Sequence, residues 1–428
     1  MTTSLWPDTL ELTLNGIAQG GEGVGRWNDR VVFARGGLPG ERVCVRLTER
    51  RESYAHGTVA EVLASSPDRV SPRQAGADHM PWQHIAYPAQ LRFKRQILSD
   101  QLAKIGGLGN IVVEETIAAS RPWNYRNSAR FHGAGQWIGY YATDSHALQD
   151  IVYDPLLVPV LNDALAALRA VVQAGLPAPA EITFRASEAY GYALAALRGA
   201  AGADVADLRR LAGAWRMGSP ALAGVTFAAH GATGRQVETL GADLLIEELS
   251  GIAFQLHPTS FFQVNTTAAA RLLELVRDGL DPRGHERLLD LYCGAGAFAL
   301  PLAAAVSEVL GVEEYAGAVE DARATAAANG LANVRFEVGR VERALAQLDR
   351  GFEAVVLDPP RRGCHPQALA ELLRLAPARI VYVACHPATL ARDLKTLAAG
   401  GYRVARVQPV DLFPQTAHIE SVTVLERG

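Results

Sequence analysis

The pattern of apolar and polar positions divides the chain into three parts. Residues 8–63 consist of short alternating segments, such as LELTLNGIAQ and RVCVRLTER, separated by turn-rich loops that include GGEGVGR and LPGE. Several short strands at this spacing predict a small β-barrel. Residues 281–428 alternate instead between apolar β-branched runs and helical patterns, which predicts a doubly wound, mostly parallel sheet.

The middle of the chain has a mixed pattern. A linker rich in Pro, Ser and Gly at residues 64–80 precedes a predicted helix from about Pro88 to Ile105, where apolar residues recur at helical spacing. Residues 121–250 combine strand-like and helix-like segments and predict an α+β region. We therefore predict three domains, which span residues 1–65, 66–250 and 251–428.

Charge narrows the ways in which the chain can bind a polyanion. The net charge is −4, so any nucleic-acid binding must use a local patch. Residues 71–130 carry eight Lys or Arg against four acids, and aromatic residues lie among them at Trp82, Tyr87, Trp123 and Tyr125. Basic groups for phosphates and aromatic rings for bases predict an RNA surface. A solvated helix face with core aromatics is the alternative.

Other features concern location and metal sites. The chain has no run of about 18 apolar residues and no basic-then-apolar N-terminal signal, which predicts a cytoplasmic protein without membrane contact. The four cysteines are scattered without a CxxC pair. This spacing argues against a disulfide framework and against a cysteine-built metal site.

A thiol is the first candidate for chemistry. In VYVACHPATLARDL, a β-branched run ends at Ala384 and Cys385, and a helical pattern follows Pro387. A strand therefore delivers Cys385 to its carboxyl end, where open α/β sheets place their chemistry. The alternative is a buried structural cysteine, because Cys is among the most buried residue types.

A candidate cofactor site precedes the thiol. LDLYCGAGAF places Asp290 at a strand end and Gly294 and Gly296 in a tight turn, and Glu313 ends the next strand. Glycines allow close approach of the backbone to a ligand, and the carboxylate can bind ribose hydroxyls. The spacing disfavours a pyrophosphate cradle. It resembles the S-adenosylmethionine (SAM) site of Rossmann-like methyltransferases, with another nucleotide or a bare turn as the alternatives.

Six motifs together resemble one family. FFQVN, LDLYCGAGAF, GVEE, LDPPRRG, IVYVACHPATLARDL and VDLFPQTAHIESV follow the order found in RNA uracil-5-methyltransferases. GVGR and VVFARGGLPGE resemble the TRAM domain, an RNA-binding barrel. The resemblance covers almost the whole chain. It implies an α/β protein whose Rossmann-like SAM-dependent methyltransferase domain follows an N-terminal OB-like β-barrel and a central α+β RNA-binding domain.

The resemblance also implies roles for individual residues. Cys385 matches the nucleophile that adds to C6 of uracil, and Glu420 matches the base that removes the C5 proton. Arg361 is placed to stabilise the enolate or to hold the uracil, in a target base that has left its stack. The residues that match SAM contacts are Gln263, Tyr292, Gly294, Gly296, Glu313 and Asp358.

The chain departs from this family at a metal cluster. Many relatives hold an iron–sulfur cluster through cysteines at the positions of Ser71, Ala77, Met80 and Asp154. None of these four side chains replaces a thiolate on iron. We therefore expect no cluster and no metal, and we expect packing alone to hold the segment that retains Pro-Trp-Gln-His at residues 81–84.

Two further departures leave alternatives open. His386 stands where many relatives have Asn, and it either favours the thiolate of Cys385 or caps the next helix. Arg340 stands where many relatives have a polar residue for adenine, which leaves the adenine contact undefined.

The resemblance leaves the substrate to be chosen. The TRAM-like barrel favours 23S rRNA over tRNA, and we expect a monomer. A tRNA uracil-5-methyltransferase and a non-catalytic RNA-binding protein are the alternatives. An amino-methyltransferase is disfavoured because Arg361 follows Asp-Pro-Pro where those enzymes usually have an aromatic residue.

Overall fold

The structure is a computed structural model that describes residues 6–143, 145, 147–231 and 234–428, without the side chains of residues 230–236. The chain divides into two compact units. The first contains Met1–Ala118, Ala384–Thr396 and Arg406–Ser421, and the second contains Ala119–Val383, Leu397–Ala405 and Val422–Gly428. None of the described helices is both long and apolar enough to cross a membrane.

The first unit begins with a closed five-stranded barrel, as predicted. Its strands are β1 (Thr9–Ile17), β2 (Gly23–Trp27), β3 (Arg30–Arg35), β4 (Arg42–Arg50) and β5 (Tyr54–Ala64). They are arranged in the order β1-β2-β3-β5-β4. Because side chains alternate along a strand, Leu10, Leu12 and Leu14 of β1 all point into the barrel core.

Strand β2 corrects the second half of the turn-rich loop predicted for GGEGVGR, since residues 23–26 lie in the strand and residues 20–22 in the turn before it. Gly25 of β2 pairs with Leu14 of β1 and Val32 of β3. A Cβ atom at Gly25 would lie 2.6 Å from a methyl carbon of Leu12 and 2.6 Å from the carbonyl oxygen of Thr13. The glycine therefore permits close approach of two strands, which is one of the uses of glycine within a sheet.

The barrel is followed by one long helix, α1 (Tyr87–Gln101), which continues as a π-helical turn over Leu102–Gly106. The predicted bounds agree with the helix and its continuation to within about one residue at each end. Ile97, Leu98 and Leu102 of the predicted apolar positions are buried, and the same side of the helix also buries Gln90 and Lys94. Two polar side chains therefore face the core of this unit.

The second unit opens with a seven-stranded sheet in the order β12-β11-β10-β9-β6-β7-β8. Its strands are β6 (Ser128–Ala134), β7 (Trp137–Tyr141), β8 (Leu148–Asp150), β9 (Glu181–Ser187), β10 (Tyr192–Arg198), β11 (Leu222–Gly231) and β12 (Gly234–Gly241). Helices α2 (Pro159–Gln173) and α3 (Val205–Gly218) share one hydrophobic core with this sheet. The sheet and its helices form the mixed α+β segment that the sequence predicts.

The hairpin of β13 (Leu245–Leu249) and β14 (Ile252–Leu256) leads through α4 (Thr266–Leu280) to a second seven-stranded sheet. Its strands are β15 (Arg287–Leu291), β16 (Glu308–Glu313), β17 (Val334–Val338), β18 (Ala354–Leu357), β19 (Arg379–Ala384), β20 (Tyr402–Val410) and β21 (Glu420–Arg427). The helices of this region are α5 (Ala299–Leu302), α6 (Ala316–Ala328), α7 (Val341–Gln347), α8 (Pro366–Leu375) and α9 (Pro387–Ala399).

The strand order is β17-β16-β15-β18-β19-β21-β20, and the pairs from β17 to β19 are parallel. The doubly wound sheet predicted for residues 281–428 is therefore confirmed. In such a sheet the ligand site lies beyond the carboxyl ends of the strands, which here precede the candidate residues Tyr292, Asp358 and Cys385.

Candidate active site

The candidate thiol lies at a turn between a strand and a helix. Cys385 is half-buried, follows the last residue of β19 and lies two residues before the start of α9. The first N–H groups of a helix lack intrahelical partners, and the helix dipole favours negative charge at that end. A thiolate formed at this turn is therefore in a favourable electrostatic position.

His386 uses both ring nitrogens. The backbone N–H of Thr389 donates to Nδ1 of His386 at 3.4 Å, as expected of a residue that caps α9. The carboxamide of Gln19, which follows β1, lies 2.7 Å from Nε2. Of the two roles predicted for His386, the cap is the one these contacts support.

Glu420 lies on the strand that neighbours the thiol-bearing strand. It is 5% exposed at the start of β21, and β21 pairs beside β19 in the sheet. The hydroxyl of Ser421 donates to the carbonyl oxygen of Ala384 at 3.4 Å. Since Ser421 follows Glu420 and Ala384 precedes Cys385, this hydrogen bond brings together the segments that carry the two predicted catalytic residues.

Helix α1 holds the loop that leads to Glu420. Gln415 is 3% exposed and has a left-handed backbone conformation, with φ of 68°. Its backbone N–H donates to Oε1 of Gln90 at 2.9 Å, and Nε2 of Gln90 donates to Oε1 of Gln415 at 2.9 Å. The same loop receives Nζ of Lys94, which lies 2.6 Å from Oδ1 of Asp411 in a fully buried ion pair. The approach to Glu420 is therefore fixed by polar contacts.

The retained Pro-Trp-Gln-His segment is held by hydrogen bonds as well as by packing, which corrects the expectation of packing alone. The backbone N–H of Trp82 donates to the carbonyl oxygen of Gln415 at 3.0 Å. Gln83 exchanges two hydrogen bonds with the backbone of Gln74, at 2.6 and 2.9 Å. Met80 is 1% exposed and packs as an ordinary core residue.

The four positions that hold iron in relatives do not fit an iron–sulfur cluster, because Ser71, Ala77, Met80 and Asp154 supply no thiolate. The carboxylate of Asp154 instead accepts hydrogen bonds from the N–H of Leu156 and from the hydroxyl of Tyr140. Within the part of the chain that the structure describes, no group of three or more His, Cys, Asp or Glu side chains is arranged to hold a metal ion.

The predicted basic and aromatic surface of residues 71–130 is reduced by burial. Trp82 and Tyr125 are each 1% exposed, and Lys94 is fully buried. Lys94 lies 5.7 Å from the centre of the Trp82 ring, so both belong to the core beneath α1. The alternative of core aromatics is correct for Trp82 and Tyr125, and Lys94 is a core residue as well. Their charge and rings are unavailable to RNA.

The predicted cofactor residues of the second unit form a polar turn. Oε2 of Glu313 accepts the N–H of Gly294 at 3.1 Å, and Oε1 accepts the N–H of Tyr315 at 2.8 Å. Gly294 has φ of 54° with open space where a Cβ atom would lie. Gly296 has φ of 85° and donates its N–H to the carbonyl oxygen of Cys293 at 2.8 Å. The turn can therefore admit a ligand close to its backbone.

Buried carboxyl groups surround this turn. Burial, together with the nearby carboxylates of Asp358 and Glu313, raises the pKa of Asp290 to about 8, against a hydrogen bond from the N–H of Ala299. Burial also raises the pKa of Asp358 to about 7. Oδ1 of Asp290 is buried without a hydrogen-bond partner. A ligand with a positive charge and hydroxyl groups, such as SAM, fits this donor set because it stabilises the ionised carboxylates.

Gln263 lies on a loop that is held by hydrogen bonds from β9 and from Asn127, the residue before β6. The N–H of Asn127 donates to the carbonyl oxygen of Val264 at 2.8 Å, and Nη2 of Arg185 donates to the carbonyl oxygen of Ser260 at 2.8 Å. Phe261, two residues before Gln263, is 68% exposed. Phe261 is the first residue of the FFQVN motif, to which the sequence analysis assigned a role only at Gln263.

The remaining predicted residues have distinct environments. Tyr292 has φ of 64°, and burial raises the pKa of its hydroxyl, as does the neighbouring thiol of Cys364. Arg361 is exposed in the turn that follows Asp358. Arg340 is paired with Glu314 at 3.2 Å. Its guanidinium is thus engaged with a carboxylate at the position where many relatives have a polar residue for adenine.

Comparison with known proteins gives consistent matches along the chain. The family described as tRNA (Uracil-5-)-methyltransferase matches residues 236–428, and the TRAM domain matches residues 8–60. An uncharacterized RNA methyltransferase of Thermosynechococcus vestitus is 40% identical, and the alignment covers 99% of each chain. An uncharacterized RNA methyltransferase of Gloeobacter violaceus is 37% identical, over 98% of this chain and 97% of that one.

A solved structure has the same fold. It is the Pyrococcus abyssi tRNA (uracil-54, C5)-methyltransferase in complex with S-adenosyl-L-homocysteine, with a TM-score of 0.76 and 24% sequence identity. The match covers 97% of this chain and 100% of that one. This likeness confirms the predicted fold class, with a barrel before a Rossmann-like domain.

Proposed function

The chain belongs to the family of SAM-dependent RNA uracil-5-methyltransferases, and from this premise we propose that it methylates C5 of a uridine in 23S rRNA through a covalent adduct with Cys385. SAM is its cofactor and RNA its substrate. The observation that carries the proposed mechanism is the hydrogen bond from Ser421 to Ala384, because it joins the segments of Cys385 and Glu420.

The proposed chemistry follows from the weak nucleophilicity of uracil C5. The Cys385 thiolate adds to C6, and the electron pair of the C5–C6 bond forms an enolate that is nucleophilic at C5. SAM, when bound, supplies the methyl group that C5 takes from sulfur. Glu420 then removes the C5 proton, and elimination breaks the bond between C6 and sulfur and restores the C5–C6 double bond.

The other predicted residues have supporting roles in this proposal. Arg361 stabilises the enolate oxygen or holds the uracil, for which its exposed guanidinium is suited. The residues proposed to hold SAM are Gln263, Tyr292, Gly294, Gly296, Glu313 and Asp358. We propose RNA-binding roles for residues 1–65 and 66–250, and we propose that one protomer acts alone in the cytoplasm, where its RNA substrate is found.

Two RNA classes compete as the substrate. The barrel supports 23S rRNA, because bacterial tRNA relatives usually lack a TRAM domain. The tRNA alternative is supported by the match to the tRNA (Uracil-5-)-methyltransferase family and by the likeness to the P. abyssi tRNA enzyme. Mapping 5-methyluridine in rRNA and tRNA from a strain that lacks the gene distinguishes them, because the modification disappears only from the true substrate.

Trapping of the adduct tests the mechanism. The protein is incubated with SAM and cellular RNA that contains 5-fluorouridine, whose C5 fluorine Glu420 cannot remove as a proton. We expect a covalent protein–RNA adduct with wild-type protein and with Cys364→Ala, and none with Cys385→Ala. Absence of an adduct with every cellular RNA would contradict the proposed function.

A further inference from the structure

A groove between the barrel and α1 is separate from the candidate catalytic residues. We propose that it binds the base of a nucleotide adjoining the target uridine in the RNA. This inference rests on the proposed function, because it concerns the same RNA. It adds a second base-binding site to the one at Cys385.

The groove has the dimensions of a single-base site. Its volume is about 270 Å³. Ligand pockets generally measure roughly 300–1,000 Å³, so this one suits one ring system rather than a length of chain. The residues that form most of its wall are Ile17, Gln19, Val31 and Phe33 of the barrel and Ile97 and Gln101 of α1.

The wall carries the groups that recognise a base. The half-buried ring of Phe33 stacks on His56 at a centroid distance of 4.7 Å, and Nδ1 of His56 lies 2.9 Å from Oε1 of Glu22. The Phe33 ring is therefore held in place, and a fixed aromatic ring is a platform for a nucleobase. The carboxamides of Gln19 and Gln101 supply donors and acceptors for a base edge.

Charge at the rim does not oppose RNA. Asp100 lines the groove, and Nζ of Lys104 donates to its Oδ2 at 3.1 Å. The carboxylate is thus paired with a cation, and the Lys104 side chain is 70% exposed. The rim therefore presents no unpaired acid from Asp100 to a phosphate of the same strand.

Gln19 connects the groove with the thiol turn. Its carboxamide lies 2.7 Å from Nε2 of His386, and His386 adjoins Cys385 and caps α9. A base that contacts Gln19 is therefore one side chain away from the turn that carries the nucleophile. This is the reason for assigning the groove to a nucleotide next to the target, and it makes Gln19 a positioning residue for the turn.

Steady-state kinetics with the full chain test the assignment. The probes are tritium-labelled SAM and total RNA from a strain that lacks the gene. Loss of one stacking contact weakens RNA binding by about tenfold, so we expect Phe33→Leu to raise KM for RNA by about that factor, with its main effect on KM. We expect Gln19→Ala to raise KM and also to lower kcat, since Gln19 contacts His386.

The matched control is Tyr54→Leu, which removes a ring of the same barrel. Tyr54 packs edge-on against Phe33 at 6.2 Å and does not line the groove. We expect its KM to stay within about twofold of wild type, because it offers no stacking surface to a base in the groove. Equal KM values for wild type, Phe33→Leu and Gln19→Ala would overturn the inference.

A structural readout accompanies the kinetics. The trapped 5-fluorouridine adduct is irradiated with ultraviolet light, and cross-linked peptides are mapped by mass spectrometry. We expect a cross-linked nucleotide on the peptide that contains Phe33. If the adduct forms but no nucleotide is attached to residues 17–33 or 97–104, the groove is not a base site. If wild-type protein forms no adduct, the proposed function itself fails.

Discussion

The tripeptide Cys-His-Pro occurs twice in this chain, and the two copies begin helices in the same way. In both copies the His side chain accepts a backbone N–H of the first helical turn, at 3.2 Å for His365 and 3.4 Å for His386. In both, Pro occupies the first helical position, where its missing N–H costs nothing. The local sequence thus accounts for the start of α8 and of α9.

The surroundings of the two thiols differ. Cys364 is 3% exposed, and its thiol donates to the hydroxyl of Tyr382 at 3.6 Å. Cys385 is half-buried, and the adjoining His386 contacts Gln19 from the barrel. Identical tripeptides therefore give one sequestered thiol and one accessible thiol. The comparison teaches that capping is local, whereas access to a thiol depends on residues far away in the sequence.

Substitution of Glu420, whose segment is hydrogen-bonded to that of Cys385, tests the comparison of the two turns most strongly. In the proposed mechanism, Glu420→Gln still allows addition and methylation but prevents loss of the C5 proton. Removal of a general base costs about 10²–10⁴-fold in turnover, so we expect turnover to fall by that factor. With ordinary RNA and labelled SAM, a methyl-labelled covalent protein–RNA species accumulates on denaturing gels.

Glu426→Gln is the matched control on the same strand. Glu426 accepts a hydrogen bond from Arg379 at 3.2 Å and belongs to no predicted site. We expect it to retain turnover without a trapped species. Loss of turnover in Glu420→Gln without any labelled adduct would mean that Glu420 is not the proton-abstracting base.

Chemical modification compares the two thiols directly. We expect iodoacetamide to alkylate Cys385 at least about 100-fold faster than Cys364 in the native protein, because a buried thiol reacts only after local opening. An opening free energy of about 3 kcal/mol produces a factor of this size. Peptide mapping over time measures both rates. In urea the two thiols should react at similar rates, and similar rates in the native protein would contradict the comparison.

Asp358 precedes the Cys364 turn in the sequence, and titration of its carboxyl group affects stability. Burial raises the pKa of Asp358 to about 7, from its ordinary value of 3.8. The native state therefore binds this proton more tightly than the unfolded state, and the free energy of unfolding falls as pH rises from about 4 to about 7. One pKa unit corresponds to about 1.4 kcal/mol, so we expect a loss of at least that size in cofactor-free protein.

Denaturant unfolding at pH 5 and pH 8 measures this loss. Asp358→Asn should show a smaller decrease than wild type, because the amide does not ionise. Asp349→Asn, at an exposed position, should behave as wild type. An unchanged pH dependence in Asp358→Asn would show that another group, such as Asp290, is responsible.

Removal of the helix caps His365 and His386 gives the smallest expected effect, which is on the free energy of unfolding. We expect His365→Ala and His386→Ala each to lower the free energy of unfolding by about 1 kcal/mol, and Asn at either position to restore it, because Asn is a preferred capping residue. Only His386→Ala should also slow adduct formation, since only His386 contacts Gln19. Equal adduct rates for both alanine variants would remove the functional distinction between the caps.

Features repeated at short range could be predicted from the sequence. The barrel and the parallel sheet have apolar periods of a few residues, and both predictions are confirmed. Helix α3 was not predicted, although its buried residues Leu208, Leu211 and Trp215 recur at helical spacing. Gly213 and Gly218 weaken the helical pattern of this segment. The indole N–H of Trp215 donates to the carbonyl oxygen of Ala164, a partner that periodicity does not reveal.

Features that depend on distant partners could not be predicted. Lys94 resembles an exposed base on an amphipathic helix until Asp411 is placed beside it. Gln19 and His386 are 367 residues apart, and neither pattern indicates the other. The motif resemblance supplied Cys385 and Glu420, but the side chains that fix their segments are polar residues on core-facing positions, where apolar residues are expected.

The buried pair of Lys94 and Asp411 has a consequence for how the protein is made. Its members are separated by 317 residues, so Lys94 leaves the ribosome long before its partner. At about 5–20 residues per second, synthesis of the intervening chain takes roughly 15–60 s. During that time the ammonium group must stay hydrated, and the core under α1 cannot close. Cys385 and Glu420, the proposed nucleophile and base, therefore join the nascent first unit last, and a chain truncated before residue 384 lacks both.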